Sequence, residues 1–109
     1  YLAGDAAHVV PPTGAKGMNL AVAAARALAD AVSAWYRTGN DQLLREYSSL
    51  CLRRVWRAEH FSWWMTSMLH RFDDDPFQQR LQLSQLRYVC NSRAAATSLA
   101  ENYVGYEQQ

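Results

Sequence analysis

The stretch that most constrains this chain is Pro11-Pro12. It stands between Gly4-Asp5-Ala6-Ala7-His8 and Gly14-Ala15-Lys16-Gly17-Met18-Asn19. Successive prolines fix φ at about −65° and push the residue before each of them out of the helical region. The backbone is therefore extended here, and no helix can run through it. Gly14 and Gly17, just beyond, allow positive φ or a close approach to a ligand. A short apolar run, Tyr1-Leu2-Ala3, comes before, and an alanine-rich helical pattern comes after.

The apolar run to Gly4 reads as a short strand, and Asp5 to Gly17 reads as loop. One strand cannot stand alone, because its backbone groups need a partner. That need, together with an opening residue that is Tyr1 and not methionine, marks the chain as the C-terminal piece of a longer protein.

After the loop the pattern is helical. Leu20, Ala24, Ala27, Leu28, Ala31, Val32 and Trp35 recur at helical spacing, which predicts a first helix from Gly17 or Asn19 to Arg37, stopped by Gly39. Asp41 is the expected cap of a second, longer helix, whose stripe runs from Leu43 through Tyr47, Phe61 and Met68 to Phe72. Asp73-Asp74-Asp75-Pro76 ends that stripe. Asp75 and Pro76 suit the cap and first position of a third helix over 77–90. Ser92 suits the cap of a fourth over 93–101, and 102–109 is a tail. The fold class is thus mostly α, with one short N-terminal strand and three to four helices. The division is 1–40 for strand, loop and first helix, and 41–109 for a helical region.

Composition excludes several classes. With 11 basic and 10 acidic residues, net charge +1, there is no basic stripe for nucleic acid. Arg53, Arg54 and Arg57, the densest basic run, are flanked by Glu46 and Glu59 and read as a solvated helix face. No apolar run reaches the ~18 residues of a membrane span. Two cysteines, Cys51 and Cys90, make no disulfide framework and fit a reducing cytoplasm.

The candidate site residues lie in or beside the loop. A carboxylate at a strand's end, Asp5, is placed to accept from sugar-like hydroxyls; the plainer alternative is an Asp that closes its own turn. Gly14 to Gly17 is not a Walker sequence, but a helix entry offers unpaired N–H groups and positive potential. Lys16 adds a full charge. Asn19 is placed to brace the loop, and the fixed Pro12 carbonyl to orient a hydroxyl. His8 has no His or Cys at ligand spacing and reads as structural. Tyr103 offers a phenol in the C-terminal segment.

Gly4-Asp5-Ala6-Ala7-His8, then Pro11-Pro12-x-Gly14-x-Lys16-Gly17-x-Asn19, resembles the second FAD-binding motif of the single-component flavoprotein aromatic hydroxylases. Within them the resemblance is strongest to those acting on 4-hydroxybenzoate. It continues through Cys51-Leu52-Arg53-Arg54-Val55-Trp56, Phe61-Ser62-Trp63-Trp64-Met65-Thr66, His70-Arg71-Phe72 and Ala100-Glu101-Asn102-Tyr103-Val104-Gly105. Ala24 departs from it, standing where this superfamily often has Asp, and Tyr106-Glu107 follows Gly105 sooner than the pattern has it.

The resemblance implies an α/β FAD-binding fold in the full protein, of which 1–40 is the C-terminal part. It implies that Asp5 binds ribityl or nearby hydroxyls of FAD. Gly14, Ala15, Lys16, Gly17, Met18 and Asn19 would lie by the flavin's pyrimidine edge. The Pro12 carbonyl would contact the substrate phenol, and Tyr103 would join a relay that deprotonates it. The implied activity is hydroxylation ortho to the phenol with O2 and NADPH, NADH being the alternative reductant. The implied partners are a small aromatic substrate and a second subunit in a homodimer, without nucleic acid or membrane. The dinucleotide motif and the substrate-carboxylate ligand would lie upstream, so the fragment alone is expected to be inactive. Two rivals stay open: another aromatic hydroxylase, of the salicylate or phenol type, and a non-enzymatic helical interaction module.

Overall fold

The computed structural model describes residues 1–71 and 74–105. Phe72 and Asp73, at the expected end of the second helix, lie outside the described residues, as does the last part of the tail, 106–109. The described chain holds a short 3₁₀ helix, Gly4–Ala6, and then α1 (Gly17–Thr38), α2 (Gln42–Leu69), α3 (Pro76–Asn91) and α4 (Arg93–Val104). None of these four is long and apolar enough to cross a membrane.

The predicted N-terminal strand is absent, and the described residues contain no strand at all. Ala3 does keep extended dihedrals, φ −143° and ψ 155°. No other extended segment offers it a ladder, however, so the backbone groups are satisfied differently. The Gly4 carbonyl accepts from the Ala7 N–H at 2.9 Å, closing the 3₁₀ turn with Gly4 at φ 69°. The Leu2 carbonyl accepts from the Tyr47 hydroxyl at 2.6 Å. A strand-like sequence without a partner becomes a turn.

The chain divides into two compact units, Tyr1–Ser62 and another beginning at Trp63. In the first unit the 3₁₀ turn rests on α1, with Gly4 so close to Ala21 that an added Cβ would meet the alanine's Cβ at 3.7 Å. Ala24 and Ala31, two turns apart on α1, are buried, as the alanine stripe predicts. The helix ends at Gly39, in the left-handed region at φ 72°, where its N–H returns to the Trp35 carbonyl at 2.8 Å. Tyr47, Ala58 and Phe61 of α2 are also buried in this unit.

The second helix starts differently from expectation. Asp41 does not cap it; the Asp41 carboxylate pairs with Arg45 at 2.9 Å instead. The Gln42 N–H goes to the Asn40 Oδ1 at 2.9 Å. An arginine one turn on competes for the carboxylate, and Asn40 is free to replace it.

In the second unit, Asp75 caps α3 as predicted, accepting from the Phe77 N–H at 3.0 Å, with Pro76 at the first position. Ser92 caps α4, accepting from the Ala95 N–H at 3.3 Å. Gln82 on α3 donates to the Ser67 and His70 carbonyls at 3.2 and 2.7 Å, satisfying orphan groups at the end of α2. Met68 and Val89 are buried here.

Candidate functional site

The Pro-Pro stretch delivers the chain into a tight turn. The Ala15 N–H donates to the Pro12 carbonyl at 3.0 Å, and Gly14, third in the turn, sits at φ 89°. That positive φ is what a type II turn asks of its third residue. Ala15 follows at φ 53°, a left-handed conformation that costs an alanine roughly 1–2 kcal/mol. Lys16 then returns to φ −90° and ψ −15° and serves as the N-cap of α1.

Helix α1 begins without any side-chain cap. Its first internal bond runs from the Leu20 N–H to the Lys16 carbonyl at 3.0 Å. The N–H groups of Gly17, Met18 and Asn19 have no hydrogen-bond partner among the described residues. Three orphan donors at the head of a 22-residue helix carry the positive end of its dipole.

Lys16 brings its ammonium to the same corner. Its Nζ lies over the Phe61 ring, 5.1 Å from the centroid. Burial first, and the positive charge of Arg57 second, hold the Lys16 pKa below the ordinary lysine value. Dipole, ammonium and guanidinium contribute positive potential here, and an anionic or electron-rich group fits such a place.

Phe61 is the floor of the loop. It is 1% exposed, and an added Cβ on Gly14 would stand 2.7 Å from its Cε1. Gly14 therefore has neither the dihedral freedom nor the room for a side chain. Val10 lies over Gly17, its Cγ2 3.6 Å from where an added Cβ would stand, an ordinary contact that leaves room for one.

The remaining predicted residues fall as follows. Asp5 lies on the 3₁₀ turn beside α1, exposed, and its carboxylate makes no hydrogen bond or ion pair among the described residues. The alternative of an Asp closing its own turn is not what is observed, because the Gly4 carbonyl closes that turn. Met18 is exposed. Asn19 is exposed too, and its side chain bonds to nothing in the described residues, so the bracing expected of it is not made. Pro12 is exposed and spends one carbonyl lone pair on Ala15, leaving the other. Tyr103 belongs to the second unit, 58% exposed near the end of α4. Both ring nitrogens of His8 are shut from solvent without a hydrogen-bond partner, as is the Ser62 hydroxyl.

Residue pattern missed two members of the corner, Phe61 and Arg57. The helical stripe had marked Phe61 for burial, but nothing in spacing says that a loop some 45 residues earlier crosses it.

Residues 1–62 match the family described as the FAD binding domain. The chain belongs to the FAD binding domain family. This FAD binding domain segment contains the whole corner, from Gly14 to Phe61, and Asp5 as well. Over 106 residues, 96% of this chain, the sequence is 52% identical to the p-hydroxybenzoate hydroxylase of Acinetobacter baylyi. The chain spans 26% of that relative's length.

Proposed function

We propose that this chain is part of a flavin-dependent aromatic monooxygenase that hydroxylates 4-hydroxybenzoate ortho to its phenol, using O2 and NADPH, with NADH as the alternative reductant. Bound FAD would supply the electron-carrying and oxygen-activating chemistry; the residues here hold it and tune it. The observation that carries the reading is the head of α1: three unpartnered N–H groups, with Lys16 as the residue at the N-cap. The similarity to a p-hydroxybenzoate hydroxylase supports the choice of substrate.

In this reading Asp5 accepts hydrogen bonds from flavin-chain hydroxyls, a task suited to a carboxylate with no partner of its own. Gly14, Ala15, Lys16, Gly17, Met18 and Asn19 line the pyrimidine edge of the ring, where reduction deposits negative charge. They contribute backbone donors and one full charge, without reorganisation when negative charge arrives. The free lone pair of the Pro12 carbonyl accepts from the substrate's phenol. The Tyr103 hydroxyl serves the proton leaving that phenol. Residues 1–40 are the flavin-facing part and 41–109 the helical region. The whole protein works as a homodimer in a reducing cytoplasm, in keeping with the free Cys51 and Cys90.

The test is made on the full-length protein. It should purify with the visible absorbance of bound flavin, and 4-hydroxybenzoate should stimulate its NADPH oxidation. A colourless protein overturns the flavin assignment. Flavin with stimulation only by salicylate or phenol overturns the substrate alone.

A further inference from the structure

Phe61 meets both the positive-φ part of the loop and its charge. Its ring edge occupies the space a Gly14 side chain would need, and its face lies under the Lys16 ammonium at 5.1 Å. Between those two contacts stands Ala15, held at φ 53°. A conformation of that kind persists only where its surroundings over-determine it. Lysine's four-carbon stem is flexible and loses rotamer freedom when its charge is fixed in one place. The buried Phe61 ring is in contact with the Lys16 ammonium and can help to seat it.

Arg57 sharpens the point. It stands one turn before Phe61 on α2, at the i, i+4 spacing that puts the two on one face. Its charge and the local burial both disfavour a protonated Lys16. Against those two effects, the aromatic face of Phe61 is a contact that favours the ammonium.

Resting on the flavin reading above, we propose that Phe61 is a positioning residue of the FAD site: its ring, packed against Gly14, acts by holding the Lys16 ammonium in place. Phe61 does not itself need to touch the cofactor. A cation over an aromatic face is worth about 0.5–1 kcal/mol at partly exposed sites, which is about a 2–5-fold effect.

The experiment uses full-length holoprotein and redox titration of the bound flavin, which gives the ratio of affinities for reduced and oxidised FAD. Phe61→Leu and Phe61→Met both keep apolar volume and remove the ring, and either suffices if the other does not fold. Each should lower the ratio about 2–5-fold. Lys16→Met should lower it further, and adding Phe61→Leu to Lys16→Met should change nothing more. The proposal is overturned if ring loss leaves the ratio unchanged, or lowers it equally when Lys16 is already absent. A wild-type protein without flavin would overturn the underlying reading instead, and the two failures cannot be confused.

Discussion

The Tyr47 hydroxyl donates to the Leu2 carbonyl across 2.6 Å, tying the second helix to the first residues of the chain. Tyr47 is 5% exposed, and the Tyr1 ring stacks edge-on against it with centroids 5.9 Å apart. This contact anchors the segment that carries Asp5 to the α2 helix that carries Phe61. Tyr47→Phe leaves the Leu2 carbonyl without its donor and should cost about 1–2 kcal/mol in chemical denaturation of the full-length protein.

The same tyrosine gives a pH signature. Burial, then the neighbouring Cys51, pushes the phenol pKa above its ordinary value. A pKa raised in the folded state means the native protein holds the proton more tightly. The stabilisation is complete below the unfolded value of about 10 and is lost as pH rises through the folded one. Denaturation midpoints should fall as pH climbs past about 10, and Tyr47→Phe should flatten that fall.

The loop makes opposite predictions for adjacent residues. Gly14→Ala demands a left-handed alanine whose Cβ stands 2.7 Å from a buried ring, and should destabilise by about 2–4 kcal/mol. Ala15→Gly relieves strain at φ 53° while loosening the unfolded chain, so it should change stability by less than about 1 kcal/mol, toward stabilisation. Thermal melts of the two variants decide it; equal losses would mean that Ala15 is not under strain.

Two aspartates that look alike in sequence should behave differently. Asp75 makes a real cap on the Phe77 N–H, so Asp75→Ala should cost about 1 kcal/mol. Asp41 has only its exposed bridge to Arg45, and Asp41→Ala should cost no more than about 0.5 kcal/mol. Denaturant midpoints compare them.

That contrast shows what could be read in advance. The four helices were legible because their signals are local: the alanine stripe of α1, Gly39 as its stop, Asp75-Pro76 and Ser92 as starts. The missing strand was not, because Tyr1-Leu2-Ala3 has strand composition and only the absence of a ladder decides against it. At Asp41 the rule for caps lost to an arginine one turn away. In the site, the loop and its residues Asp5, Gly14, Lys16 and Gly17 were visible from the order of residue types. Phe61 and Arg57 were not, since their role depends on a contact some 45 residues away in sequence.

The central claim concerns where negative charge is received. The most direct measurement is a crystal structure of the full-length protein with FAD bound. The account predicts the pyrimidine edge of the ring within hydrogen-bond distance of the Gly17, Met18 and Asn19 N–H groups, with the Lys16 ammonium beside it. A flavin ring seated elsewhere, with those three donors facing water or protein side chains, would contradict it.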